Sequence, residues 1–171
     1  MKLALSAALG AALLAYAGSS LAADEKPKPC ATSTMHQFDF WIGRWTVTEK
    51  GKPAGVSHIE SILDGCALLE NWTGAEGGEG KSLNFFDRTD GRWHQTWIDR
   101  SGGALFLAGK FENGSMRLQG ESLATAKQPA TRHRISWTAL AGGKVRQLWE
   151  STPTAREEWV VQFDGLYEPA K

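Results

Sequence analysis

The 171-residue sequence has no excess of charge of either sign and is not rich in charged residues. Lys plus Arg number 19 and Asp plus Glu number 19, so the formal net charge is zero. A nucleic-acid-binding protein needs surplus Lys and Arg to neutralise phosphates, so nucleic acid is not an expected partner. The chain also lacks the composition of a disordered protein, because 42% of its residues are hydrophobic and only 22% are charged.

The motifs that identify common enzyme classes are missing as well. The sequence contains no Gly-x-Ser-x-Gly nucleophile elbow and no His-Glu-x-x-His zinc motif. It has two cysteines and no Cys-x-x-Cys pair, which argues against a Cys-rich zinc site. The stretch 75–82 ends like a phosphate-binding loop, but Ala75 stands where that loop requires its first Gly. A strand pattern also follows the stretch, whereas a phosphate-binding loop opens a helix. We therefore assign no catalytic residue, no metal site and no nucleotide site from motifs.

A second long apolar run is absent, and the first one has the features of a secretory signal peptide. Lys2 supplies a positive start, residues 3–18 are apolar and uncharged, and Ser20 and Ala22 occupy the −3 and −1 positions of a cleavage site. The run is shorter than the roughly 20 residues that a membrane span needs. We predict a signal peptide over 1–22 and a single domain over 23–171, periplasmic or secreted, without a membrane span.

The two cysteines, Cys30 and Cys66, both lie after the predicted cleavage site. An exported protein meets an oxidising compartment, where disulfides form and persist. We therefore expect a Cys30–Cys66 disulfide that ties the N-terminal tail to the body of the domain. The alternative is a pair of free, partly buried thiols, since sequence alone does not give the geometry.

A short helix is predicted before the first strand, over 34–42. Thr34 and Gln37 have the spacing of a capping box, and Gly43 ends the pattern. Three apolar residues at positions i, i+3 and i+4 form one face: Phe38, Trp41 and Ile42.

Eight Trp, 19 Gly and only six Pro favour strands and turns over a helical bundle. Ten extended runs follow the helix: 44–50, 54–63, 66–73, 81–88, 92–100, 104–112, 115–122, 131–140, 144–151 and 157–167. Tight-turn pairs such as Asn113-Gly114 separate them, so consecutive strands are expected to be antiparallel neighbours. Because closing a sheet removes its edges, we predict an all-β, up-and-down antiparallel barrel of about ten strands.

The stretch Phe38–Val47, FDFWIGRWTV, is the most distinctive in the chain. Its Gly43-x-Trp45 resembles the opening motif of the lipocalin/calycin superfamily. The resemblance implies that Gly43 permits a turn and that Trp45 plugs the closed end of a barrel. The longer FDFWIG-x-W opening, the Gly65-Cys66 pair and the Trp-x-Gln-x-Trp strand 93–97 are similar to an uncharacterised bacterial family of secreted, lipocalin-like proteins. This similarity implies a cup for a small, largely apolar molecule, but no particular activity.

Strand alternation predicts which side chains line that cup. We expect one face of the hairpin 82–98 and the apolar faces of 131–138 and 144–150 to point inward. The predicted ligand-binding residues are Asn84, Phe86, Trp93, Gln95, Trp97, His133, Gln147 and Trp149. An alternative role for Asn84 and Gln95 is a hydrogen bond between the two side chains across the strand pair.

Three other functions remain open on the same scaffold. An enzyme could use His133, or a His58/Glu60 pair in a buried polar pocket, as general acid and base. The alternative for His58 and Glu60 is a solvated face of their strand. We expect no cofactor; if the barrel holds haem instead, His133 is the candidate axial ligand. The third alternative is a filled barrel with a structural role in the cell envelope, in which Trp residues such as Trp41, Trp45 and Trp72 only fill the core.

Overall fold

The computed structural model describes residues 29–171, so the predicted signal peptide lies outside the described residues. Two 3₁₀ turns, Ser33–His36 and Asp39–Trp41, precede the first strand. The strands are β1 Gly43–Glu49, β2 Lys52–Ile62, β3 Ala67–Gly74, β4 Glu79–Asp87, β5 Arg92–Asp99, β6 Ala104–Glu112, β7 Ser115–Ser122, β8 Thr131–Leu140, β9 Lys144–Pro153 and β10 Val160–Pro169. Two more 3₁₀ turns lie at Leu63–Gly65 and Ala141–Gly143.

The ten strands form a closed antiparallel barrel in which each strand pairs with its neighbours in the sequence. Closure is made by β1 and β10, with Trp45 opposite Pro169, while the other side of β1 pairs with β2, with Trp45 opposite Ser57. This topology confirms the predicted fold class and is consistent with a lipocalin-like barrel. Within residues 29–171, no helix is long and apolar enough to cross a membrane.

A short helical segment precedes the first strand as predicted, but it consists of two 3₁₀ turns rather than one continuous helix over 34–42. The two 3₁₀ turns are separated at Gln37–Phe38, and no capping box forms, because the residue before the first turn is Thr32 and it makes no side-chain cap bond. An isolated helix of this length is marginal in water. Burial of Phe38 and Trp41, both fully inaccessible, therefore decides the local conformation instead.

One end of the barrel is closed by an aromatic layer. The Phe38 ring lies 5.0 Å from Trp41 on the same segment, 5.7 Å from Trp93 on β5 and 5.2 Å from Trp137 on β8, measured between ring centroids. The indole N–H of Trp45 donates to the carbonyl of Trp41 over 2.9 Å. The plug thus contains Phe38 and Trp41, contributed by the 3₁₀ segment, in addition to Trp45.

Gly43 lies where the 3₁₀ segment turns into β1. Its φ of +143° is in the region that residues with a Cβ rarely adopt, so a glycine is required for this change of direction. The plug and the first strand are therefore joined by a turn that the sequence specifies directly.

The predicted disulfide between Cys30 and Cys66 is confirmed, with the sulfurs 2.01 Å apart. Cys66 follows the Leu63–Gly65 turn at the closed end of the barrel. Arg88, in the loop after β4, donates to the carbonyl of Pro29 over 3.1 Å and so holds the same tail from a second side. Pro29 and Cys30 are thereby fixed against the closed end.

Alternation along the strands divides the inward from the outward side chains as predicted. Asn84, Trp93 and Gln95 are buried, whereas Leu83 and Ile98 on the opposite face are exposed. On β8 and β9 the inward positions again carry buried apolar residues: Ile135, Trp137 and Val145. The same faces extend towards the other end of the barrel, where the loops 50–51, 75–78, 100–103, 123–130 and 154–159 surround its mouth.

Candidate functional site

A cavity of about 400 Å³ occupies the half of the barrel opposite the plug. Its lining combines a floor of buried polar side chains with an aromatic wall. The lining residues are Glu70, Trp72, Gln95, Trp97, Asp99, Gly103, Ala104, Leu105, Ser122, His133, Ile135, Gln147, Trp149, Gln162, Phe163 and Tyr167. Its volume lies within the range of small-molecule sites and far above that of a single water.

Five of the eight predicted ligand-binding residues line this cavity: Gln95, Trp97, His133, Gln147 and Trp149. The other three, Asn84, Phe86 and Trp93, face the interior but are not part of the lining. Asn84 is fully buried beside Gln95, while Phe86 contacts Trp93 in the aromatic layer at 6.2 Å between ring centroids. Alternation identified the correct face, but it did not show how far along the barrel the plug reaches.

Inward-facing glycines leave room for part of the aromatic wall to lie close against the strands. A Cβ on Gly80 would lie 2.3 Å from the ring of Trp97, and a Cβ on Gly165 would lie 2.3 Å from the ring of Phe163. Gly55 gives similar room to Trp72, whose ring would lie 2.8 Å from a Cβ there. Each ring occupies space that a side chain at the glycine position would otherwise take, on the neighbouring strand for Trp97 and Trp72 and on the same strand for Phe163, and this leaves the middle of the barrel open.

Glu70 on β3 is the acidic group at the inner end of the cavity. Its side chain is buried, with 4% exposure, and its two carboxylate oxygens accept hydrogen bonds from Ser57 Oγ at 3.0 Å and Ser82 Oγ at 2.7 Å. Burial raises the pKa of Glu70 from 4.5 to about 7, and the two hydroxyl hydrogen bonds offset only part of that effect. Glu70 therefore titrates close to neutral pH.

A chain of buried side-chain hydrogen bonds extends from Glu70 across the floor. Asn84 Nδ2 donates to Ser82 Oγ at 2.9 Å, and Gln95 Nε2 donates to Asn84 Oδ1 at 2.8 Å. The cross-strand bond between Asn84 and Gln95 that the sequence offered as an alternative role is thus present. Gln95 lines the cavity at the same time, so it takes part in both arrangements.

A second polar pair lies on the opposite strands. The hydroxyl of Tyr167 on β10 donates to Oε1 of Gln147 on β9. Burial, with a smaller contribution from the charge of Glu70, raises the pKa of Tyr167 well above its usual value. Tyr167 therefore keeps its proton at neutral pH and acts there as a hydrogen-bond donor.

His133 lines the wall of the cavity with both ring nitrogens already bonded. Trp149 Nε1 donates to His133 Nδ1 at 3.2 Å, and His133 Nε2 lies 3.1 Å from Ser122 Oγ. Because an indole N–H only donates, Nδ1 accepts and the proton of the neutral ring is on Nε2. Burial lowers the pKa of His133, which favours this neutral form.

The His58/Glu60 pair does not form a buried polar pocket. Both side chains point away from the barrel interior on β2, with His58 Nδ1 3.6 Å from Glu60 Oε2 and Glu60 about half exposed. Their inward neighbours on the same strand are Ser57 and Ile59. The alternation of β2 places Ser57, rather than His58, on the interior face, so the pair lies on a solvated face, the alternative that the sequence also offered.

The arrangement does not fit haem or a metal ion without rearrangement. A haem ligand at His133 would have to displace either Trp149 or Ser122 from the ring nitrogens. On the outside, Asp87, Asp90 and His94 lie close together around the β4–β5 turn. The carboxylates of Asp87 and Asp90 accept backbone N–H groups of that turn, and Asp90 also bonds His94 at 2.9 Å. Exposed acidic groups with such local partners do not identify a metal site.

Sequence reasoning missed Glu70, together with its neighbour Trp72 and the β10 residues Phe163 and Tyr167. Leu68, Glu70 and Trp72 alternate along β3, so a carboxylate lies on the apolar face of that strand. This pattern was available in the sequence. An acidic residue between two large apolar ones on the same strand face is the feature that would have predicted Glu70.

No protein-family model matches this chain, and no curated protein is significantly similar to it. The resemblance to secreted bacterial lipocalin-like proteins thus stays a prediction from the stretch Phe38–Val47. Any function has to be argued from the cavity itself.

Proposed function

We propose that this is an exported, lipocalin-like protein that binds one small amphipathic molecule in the open half of its barrel. The observation that carries the proposal is the cavity, which has an aromatic wall and a floor of fixed polar groups. Ligand sites are typically concave and largely apolar, with a few oriented polar side chains that fix the ligand. The polar groups here are Glu70, Gln95, Gln147 and Tyr167.

The apolar part of the ligand would lie among Trp72, Trp97, Trp149 and Phe163. Each large aromatic side chain offers substantial contact area, so this wall is suited to an aromatic or branched alkyl group. The polar part would reach the floor, where Gln95 and Glu70 already hold their orientation through other hydrogen bonds. A site that is ordered in advance loses little conformational entropy on binding.

The cavity supports binding over the filled-barrel alternative. A filled barrel would have side chains in the space that the inward glycines, Gly55, Gly80 and Gly165, leave to flat aromatic rings. The enzyme alternative keeps His133 as its acid–base candidate. Within the described chain, however, the hydrogen-bond partners of that ring are Trp149 and Ser122, and no carboxylate orients it.

Export is supported by the Cys30–Cys66 disulfide, since such bonds persist in oxidising compartments. The periplasmic or secreted location also depends on the predicted signal peptide over 1–22. N-terminal sequencing of protein recovered from the periplasm would test both the location and the cleavage of the signal peptide. A chain that begins at Ala23 is the expected result.

Binding can be tested with N-phenyl-1-naphthylamine, an uncharged apolar probe whose fluorescence rises in an apolar site. We expect saturable one-to-one binding to the wild-type protein. Trp97→Ala should weaken it about tenfold or more, because a wall of the cavity is lost, and tenfold corresponds to about 1.4 kcal/mol. Phe106→Ala is the matched control, since Phe106 is on the next strand but faces outward with 65% exposure.

Two results would contradict the proposal. One is an absence of saturable binding by the folded wild-type protein. The other is equal loss of affinity in the Trp97 and Phe106 variants, which would place the probe on the outer surface rather than in the barrel.

A further inference from the structure

We propose that the cavity selects a small organic cation, an alkyl- or aryl-substituted ammonium ion whose nitrogen is held by the carboxylate of Glu70. This inference rests on the proposed function and specifies its ligand class. It is carried by the charges that line the cavity, by the unpaired buried carboxylate and by the aromatic wall around it.

The charged groups on the cavity surface are of one sign. Glu70 lies at the inner end and Asp99 at the mouth, while the lining contributed by the described residues contains no Lys or Arg. The other ionisable side chains that residues 29–171 contribute to the lining are His133 and Tyr167. Burial lowers the pKa of His133, which favours its neutral form. A cavity with this set of charges attracts cations and repels anions.

Asp99 stays ionised at the mouth because backbone and side-chain donors hold it. Its Oδ1 accepts from the backbone N–H groups of Ser101 and Gly103, at 2.8 and 2.9 Å, and from the Ser101 hydroxyl. The Ser101 hydroxyl and then the backbone N–H groups of the loop lower the pKa of Asp99. A cation entering the cavity therefore passes a fixed negative charge before it reaches the floor.

Among residues 29–171, Glu70 has hydrogen-bond partners but no cationic partner. Each oxygen accepts one serine hydroxyl, from Ser57 or Ser82, and a carboxylate oxygen has room for a second donor. Buried charges in proteins are normally paired, because an unpaired one is costly. Because Glu70 lines the cavity, a cationic ligand bound there can supply the missing partner.

The aromatic residues around Glu70 would favour the same ligand. Trp72 lies two residues further along β3 on the same face, and its ring is 6.5 Å from Tyr167 and 6.1 Å from Phe163. Aromatic faces attract ammonium groups through their quadrupole, most strongly when water is excluded. A carboxylate at the end of an aromatic cavity thus matches a cation with an apolar substituent better than it matches a neutral molecule or an acid.

The test compares three probes of nearly equal size at pH 8: 2-phenylethylamine, 2-phenylethanol and phenylacetate. Each is titrated against bound N-phenyl-1-naphthylamine. We expect the amine to displace the probe at a concentration about tenfold or more below that of the alcohol, with phenylacetate weakest. Glu70→Gln should reduce the affinity for the amine by about 30-fold or more, as removal of one partner of a buried charge pair does. Glu60→Gln, on the outer face of the neighbouring strand, should leave it unchanged.

A measurement on the wild-type protein keeps the proposal testable if the Glu70 variant does not fold. Because burial raises the pKa of Glu70 to about 7, its carboxyl is partly protonated at pH 7. Binding of 2-phenylethylamine should then release a fraction of a proton, measured by calorimetry in two buffers of different ionisation enthalpy. Tyr167 stays protonated and Asp99 stays ionised at this pH, and the lowered pKa of His133 favours its neutral form. Binding of 2-phenylethanol should release no proton.

The outcomes separate this inference from the proposed function. If N-phenyl-1-naphthylamine binds but 2-phenylethanol or phenylacetate displaces it at the same concentration as the amine does, selection of a cation is refuted, while the proposed binding function stands. Retention of the amine preference in folded Glu70→Gln, or amine binding without proton release, also overturns the inference. If N-phenyl-1-naphthylamine does not bind at all, both the inference and the proposed function fail.

Discussion

Replacing Glu70 with Gln should remove a specific pH dependence from the stability of the barrel. Gln keeps the size of the side chain, and its amide can still exchange hydrogen bonds with the hydroxyls of Ser57 and Ser82. The substitution removes only the ability to ionise. Its effect therefore reports the free energy of placing a carboxylate at the floor of the cavity.

The direction in which stability changes with pH follows from the raised pKa of Glu70. Below pH 4.5 the carboxyl is protonated in both the folded and the unfolded chain, so it contributes no pH dependence. Between 4.5 and about 7 the unfolded chain loses the proton while the folded chain keeps it, so stability falls as the pH rises. Above about 7 both states are ionised and the loss is complete. At 1.36 kcal/mol per pKa unit, the loss amounts to about 3 kcal/mol.

Denaturant unfolding at pH 4.5, 6 and 8 measures this loss. We expect the free energy of unfolding of Glu70→Gln, relative to wild type, to rise by about 3 kcal/mol from pH 4.5 to pH 8. His133 contributes in the opposite sense, because its lowered pKa makes stability rise with pH, but it is present in both proteins and cancels. Glu60→Gln should show no such change. A difference between Glu70→Gln and wild type that stays constant across this range would refute a buried, unpaired carboxylate at position 70.

Two further predictions concern the wall of the cavity and the closed end. Gly80→Ala should push the Trp97 ring into the cavity, weakening N-phenyl-1-naphthylamine binding about tenfold and lowering stability by about 1–3 kcal/mol. Gly78→Ala is the control and should have neither effect, because a Cβ on Gly78 meets no atom within 4 Å. Equal effects of the two substitutions would show that Gly80 is not needed to make room for Trp97. Replacing both Cys30 and Cys66 with Ser removes a cross-link over 36 residues, so denaturant unfolding should show a loss of about 4 kcal/mol with unchanged probe affinity. A loss below about 1 kcal/mol would mean that Arg88 and the 3₁₀ segment hold the tail without the disulfide.

The barrel itself was predictable because its determinants are local. Turn pairs such as Asn113-Gly114 end one strand and begin the next, and alternation then fixes which face is buried. The observed strand bounds differ from the predicted ones by at most a few residues. The disulfide was predictable for a different reason, since a chain that is predicted to be exported and has two cysteines offers only one intramolecular pair.

The features that sequence reasoning missed depend on position along the barrel axis. Trp93 and Trp97 share one face of β5, yet Trp93 belongs to the plug and Trp97 to the cavity. Nothing in the alternation distinguishes them, because the boundary is set by how far the 3₁₀ segment with Phe38 and Trp41 enters the barrel. The same segment was predicted as a regular helix, since its burial requirement is visible only in the folded structure.

The layer of side chains between the plug and the cavity is polar, and its chemistry is the basis for the ligand class that we propose. Glu70 lies opposite Ser82 in the β3–β4 register, and Asn84 lies opposite Gln95 in the β4–β5 register, so these side chains form a continuous layer above the aromatic plug. Within that layer the amides and hydroxyls satisfy one another, and Glu70 is the one member that ionises. A neutral ligand would leave that carboxylate protonated or uncompensated. A cation would convert this buried carboxylate into half of an ion pair, which is why the affinity of such a ligand should rise with pH through about 7.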